Sequence, residues 1–147
     1  MKKRCFYLFA MMVAVVLCVG FASCSSDDDE GGSGNTGSIV GTWQLVVEEE
    51  YDESGELLDS DNVKGEQIYY RFNNDMTGFE YERGRKYPFT YTLIGNILAI
   101  TEEGYSADEY EIVTLTKSEL AIKSEYYGGY DIERYQKVSD SSIPSNN

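Results

Sequence analysis

Histidine is absent from this 147-residue chain. Its absence removes Ser-His-Asp and Cys-His catalysis, His-ligated zinc and the commonest general base together. Cysteine is scarce: Cys5 and Cys18 lie in an apolar N-terminal segment, so a chain cut just before Cys24 keeps one thiol and no internal disulfide. The folded part must then hold together by packing alone. Positive charge is scarce as well, with 12 Lys and Arg against 26 Asp and Glu, net −14. Such a surface repels nucleic acid and anionic headgroups and favours cationic or neutral partners. Beyond Ser38 no segment carries an apolar stripe of 3.6-residue period, which argues against a helical domain.

The N-terminus carries the clearest signal. Lys2, Lys3 and Arg4 precede an almost wholly apolar stretch, Phe6 to Gly20, too short and too closely followed by a cleavage-like site to read first as a spanning helix. Phe21-Ala22-Ser23-Cys24 resembles the lipobox of bacterial lipoproteins, with Phe21 where Leu is usual. The resemblance implies that residues 1–23 are a signal peptide and that Cys24 is acylated, with the lipid bilayer as its partner. One acyl chain anchors marginally, whereas several anchor durably. Ser25-Ser26-Asp27-Asp28-Asp29-Glu30 resembles the acidic export run of surface lipoproteins in the Bacteroidetes, which implies an outer-membrane protein facing outward. A solvated spacer on a periplasm-facing lipoprotein is the alternative. Losing Lys2, Lys3 and Arg4 leaves nine basic residues against the 26 acids, net −17.

Residues 24–38 end in Gly31-Gly-Ser-Gly-Asn-Thr-Gly-Ser38, with nothing apolar to bury, and read as a flexible linker. From there Val, Ile, Thr, Tyr and Phe recur in short runs broken by Gly, Asn and Asp, as strands do. Eight are expected, over about Ile39–Glu50, Glu66–Phe72, Met76–Arg83, Tyr87–Ile94, Ile97–Glu102, Asp108–Thr116, Glu119–Tyr126 and Tyr130–Val138. Short turns join nearly all of them, which favours an all-β, eight-stranded antiparallel up-and-down barrel over a sandwich. Tyr51–Gly65 is the one long connection, either a lid carrying Leu57 and Leu58 or a hairpin arm turning at Ser54-Gly55. Residues 139–147 read as a loose polar tail.

Val40-Gly41-Thr42-Trp43-Gln44-Leu45 places a Gly-x-Trp at the start of the first strand. With Phe72-Asn-Asn-Asp-Met-Thr77, Tyr91 to Leu98 across Gly95-Asn96, and Ile112, Leu115-Thr116 and Leu120, it resembles the lipocalin-like domain of Bacteroidetes lipoproteins over residues 39–138. In lipocalins the tryptophan packs across the closed end of the barrel beneath a basic residue of the last strand. Arg134 and Lys137 are the candidates and have opposite strand parity. Arg134, sharing a face with Tyr130 and Ile132, is expected to take the role. The Thr-Asp-Tyr-like turn, the cysteine pair and the C-terminal helix of ordinary lipocalins have no counterpart.

Alternation predicts an interior of Trp43, Leu45, Val47, Tyr70, Phe72, Phe79, Tyr81, Phe89, Tyr91, Leu98, Ile100, Ile112, Leu120 and Ile122. An eight-stranded barrel either fills with such side chains or holds one small ligand. Two functions follow: a binding protein for a small amphipathic or apolar ligand, or a non-catalytic module docking a surface protein or glycan through Tyr69, Tyr126, Tyr127 and Tyr135. Glu48-Glu49-Glu50 and Glu102-Glu103 read as strand-end solvation rather than catalytic pairs, and Asp59-x-Asp61 falls short of a calcium loop. Neither catalysis nor a metal or other cofactor is expected.

Overall fold

The computed structural model describes residues 37–145. In them the chain forms nine antiparallel strands: β1 (Gly41–Asp52), β2 (Leu57–Asn62), β3 (Tyr69–Phe72), β4 (Thr77–Glu82), β5 (Arg85–Ile94), β6 (Ile97–Glu102), β7 (Asp108–Leu115), β8 (Glu119–Tyr126) and β9 (Gly129–Val138). Eight of them close a barrel. From β3 to β9 each strand pairs with the next, and β1 completes the ring by pairing with β3 over Gly41–Gln44 and with β9 along nearly its whole length. Closure leaves no free edge in the ring.

The ninth strand resolves the long connection. β2 pairs with the distal part of β1, Val47 to Tyr51, so Tyr51–Gly65 is a hairpin arm rather than a lid. The Asp52 carboxylate fixes its turn, accepting hydrogen bonds from the Ser54 N–H and hydroxyl and from the Glu56 N–H at 2.7–2.9 Å. These bonds also hold the Asp52 carboxyl below the usual carboxylate range. Leu57 and Leu58 remain 50% and 57% exposed on the arm and cover no opening.

The barrel has two unlike ends. One gathers the start of β1, the turns at 73–76, 95–96 and 116–118, and the end of β9. The other gathers the β1–β2 arm, the Arg83-Gly84 and Tyr127-Gly128 turns and the 103–107 loop. The core sits towards the first end, where Ile39, Trp43, Phe72, Tyr91, Leu98, Leu115, Leu120 and Tyr135 are buried together. The chain enters at the same end, where the Gly37 N–H donates to the Leu115 carbonyl at 3.1 Å.

Two irregularities decide which side chains face inward. A bulge between Leu45 and Val47 shifts β1 against β9 by one residue. Before it Trp43 and Leu45 face in; after it Glu48 and Glu50 lie across from Glu133 and Asp131, and Val47 turns to the outer wall with Arg134. Val47 is therefore not an interior residue. In β4 the paired residues Phe72–Gly78 and Gly78–Phe89 put Gly78 and Glu80 inside and send Phe79 and Tyr81 outward. An added Cβ at Gly78 would lie 2.3 Å from the Arg71 carbonyl oxygen and 2.5 Å from the Phe89 ring, so the ring takes the space that a side chain would need.

Residues 139–145 of the polar tail lie against the barrel wall through one side chain. Asp140–Ser142 form a 3-10 turn, and the Asp140 carboxylate receives the Thr42 hydroxyl at 2.7 Å and the Arg71 guanidinium.

Candidate functional site

The closed end is built around Trp43, which is fully buried. Its indole N–H donates to the Ile39 carbonyl at 2.7 Å, so the chain just before β1 folds under the ring as a floor. Lys137, directly across from Trp43 on β9, places its ammonium 4.9 Å from the ring centroid. That ammonium also donates to the Val40 carbonyl at 2.9 Å, which holds it over the indole. Gly41 keeps the approach open, because a Cβ there would meet Lys137 Cε at 2.6 Å. The cation over the tryptophan is thus Lys137 and not Arg134. Arg134 does share a face with Tyr130 and Ile132, but that face is the outer wall, where its Nε donates to Glu49 at 3.0 Å. Tyr130 is apolar surface there for a local reason: Tyr51 stacks on it at 4.9 Å and Lys123 lies 4.6 Å from its ring.

Above Trp43 the interior fills with rings. Tyr70, Phe72, Phe89, Tyr91 and Tyr135 contact one another at centroid distances of 5.1–6.4 Å, in edge-to-face, tilted and stacked arrangements. Leu45, Ile112 and Ile122 are buried in the same cluster. Of the residues expected inside, Phe79 and Tyr81 are not. Tyr81 packs against Tyr69 on the outer wall at 6.0 Å, and Phe79 lies 4.6 Å beneath the Lys86 ammonium. Hydrophobicity misassigned them because β4 carries its bulky residues on the face away from the barrel.

Past the rings the inner wall changes character. Glu80, only 7% exposed, stands directly across from Tyr70, and Glu133 across from Glu48. The buried Tyr135 hydroxyl donates to Glu133 at 2.6 Å. Burial, then the Glu133 charge, pushes this phenol well above its usual range. Nearer the rim the Tyr126 hydroxyl donates to Glu50 at 3.1 Å, and partial burial with that carboxylate raises it to about 12. On the opposite wall Glu102 pairs with Phe89, and Asp108, whose carboxyl burial also raises, pairs with Ile100. Arg71, Lys86, Lys123 and Arg134 all stand on the outer wall.

The mouth therefore offers hydrogen-bond acceptors and negative charge above an aromatic floor. Sequence reading missed Glu80, Glu133 and Glu48. Their signal was the register: placing Gly78 beside Phe89 would have turned Glu80 inward. Among the described residues no group of three Asp, Glu, Cys or His side chains is arranged to hold a metal ion. Of the tyrosines proposed as a docking face, Tyr69 and Tyr135 are buried, while Tyr127 is 92% exposed. Two recesses open on the outer wall, one of about 460 Å³ beside Asn96, Lys123 and Tyr130 and one of about 370 Å³ beside Arg71, Phe79 and Lys86. Cys24 and its neighbours lie outside the described residues.

Comparison with known proteins agrees with this architecture. No curated protein matches the chain. A solved structure, "Crystal structure of an uncharacterized protein from Bacteroides eggerthii DSM 20697 at 2.60 A resolution", aligns with a TM-score of 0.51 at 16% identity, covering 69% of this chain and 100% of that one. At that identity the likeness is one of fold alone. Residues 39–122, more than half of the chain, match the family model of the lipocalin-like domain. The chain belongs to the lipocalin-like domain family.

Proposed function

We propose that this protein is a membrane-anchored lipocalin-like binding module that takes a small amphipathic ligand at the open end of its barrel. The observation that carries the reading is the change along the inner wall, from packed rings around Phe72 and Phe89 to the tyrosine and carboxylate groups of Tyr70, Glu80, Glu133 and Tyr126. Such a wall suits a ligand whose apolar part rests on the rings and whose neutral or cationic head meets the acids. The ligand sits high, because side chains already occupy the lower barrel. Dodecylamine and dodecanoate are suitable opposed probes. Amine-induced NMR shifts at Tyr70 and Tyr126, absent with dodecanoate, are expected; shifts confined to the outer wall overturn the reading.

The anchor is part of the proposal and rests on the sequence. Cys24 would carry the acyl chains after residues 1–23 are removed, and the acidic run behind it would direct the protein to the cell surface. Cys24→Ser should abolish lipid labelling and release the protein from the envelope fraction. Protection of the wild-type protein from protease added to intact cells would replace the surface address with a periplasm-facing one. A second reading, a non-catalytic module that docks a protein or glycan with a filled barrel, draws on the densely packed lower interior and the recess beside Tyr130. Its mark would be outer-wall shifts on binding an envelope glycan, with the mouth unchanged.

A further inference from the structure

We infer that the outer wall carries a second site, independent of the mouth, which recognises a carboxylate in an acidic peptide and which the chain's own C-terminal segment occupies through Asp140. The seat is built from the barrel side. Thr42 is 1% exposed, and its hydroxyl donates to the Asp140 carboxylate at 2.7 Å while accepting from the Arg71 guanidinium at 3.1 Å. Arg71 also reaches Asp140, and its Nε is braced by the Asn73 side-chain oxygen at 3.2 Å. Two donors converging on one carboxylate oxygen make a recognition geometry rather than a diffuse surface attraction.

The seat continues into the recess of about 370 Å³, whose wall includes Phe79 and Lys86 and whose far side is formed by Ile143 and Pro144. The Lys86 ammonium lies over Phe79 and has no ion-pair partner among the described residues. Arg71 on β3 and Lys86 on β5 put two cations along this recess in a chain of net −14. Charge here complements an acidic segment, whereas most of the surface repels one.

The resident segment shows what such a ligand looks like. Asp140 enters the seat, a 3-10 turn follows, and Ile143 reaches the recess three residues later. An incoming peptide would therefore carry an Asp followed three residues later by an apolar side chain, and would bind by displacing the tail. Asp140 itself is 66% exposed as a side chain, so the seat can exchange its occupant without opening the barrel.

The test uses the full chain and a free peptide with the sequence of residues 139–147. Asp140→Ala should bind that peptide at least tenfold more tightly than the wild type, read by amide shifts at Thr42, Arg71 and Lys86. A peptide with Asn for its Asp should not bind, and adding Arg71→Met to Asp140→Ala should abolish binding. Affinity should also fall as salt rises. An Asp140→Ala chain with unchanged circular dichroism that binds no tighter than wild type overturns the inference. So does binding that survives Arg71→Met or the Asn peptide. Arg71→Lys keeps the charge but loses the planar guanidinium that Asn73 braces, and retention of full affinity by it would likewise reject the geometry.

Discussion

The two ends of this barrel share eight strands and little else. At the closed end the polar groups at the barrel floor serve to hold the ring: the Trp43 indole N–H goes to Ile39, and the Lys137 ammonium goes to Val40 and over the ring. At the open end acids accumulate beside tyrosines, with Glu80, Glu133 and Glu50 set among Tyr70, Tyr135 and Tyr126. Burial of apolar rings stabilises a fold, whereas partly buried like charges oppose it. The contrast suggests a division of labour, with stability concentrated at one end and recognition at the other.

The largest test removes the floor. Trp43→Ala deletes the central side chain of the closed end and should cost about 3–5 kcal/mol in denaturant unfolding. A loss below about 1 kcal/mol would mean that stability is not concentrated there. Lys137→Met keeps the stem and removes the cation, and a loss of about 0.5–2 kcal/mol is expected from the same measurement. Arg134→Met, which acts on the outer wall, should cost less, and the reverse order would restore Arg134 to the role first expected of it.

Alkali probes the boundary between the two ends. Tyr135 is buried against Glu133, so its folded phenol ionises at higher pH than the unfolded one. The folded state then holds a proton that the unfolded state releases. Stability should be unaffected below the ordinary tyrosine range, near pH 10, and fall as pH rises above it. Tyr135→Phe should flatten that fall, as followed by urea midpoints across the alkaline range. The smallest stability effect belongs to the rim. Glu102→Gln should change stability by less than about 0.5 kcal/mol yet weaken dodecylamine binding severalfold by titration. A variant that loses stability but not binding would dissolve the proposed division.

Much of this fold was legible because strand patterns are local. The hairpin turns, the Gly-x-Trp floor and the inward Phe72, Phe89, Tyr91, Ile112 and Ile122 follow from alternation and turn residues near at hand. The mouth was less legible because it depends on register between strands far apart in sequence. One bulge at Val46 exchanged the faces of β1, and one glycine, Gly78, reversed the apparent sidedness of β4. A pattern of period two cannot reveal either slip from within a single strand. Parity alone could separate Arg134 from Lys137 but could not say which of their two faces was inside. The docked C-terminal segment was missed for another reason: its hold comes from Thr42 and Arg71, 98 and 69 residues away.

The bond between Gly37 and Leu115 has a practical consequence. At Gly37 the backbone joins the barrel at the end that is already stoppered, and the acid-rich end lies at the opposite pole. A reporter attached at Gly37 meets the barrel at the closed end, whereas an insertion in the Tyr127-Gly128 turn sits at the rim itself. A pair of fusions at these two places would ask the molecule which pole its ligand uses.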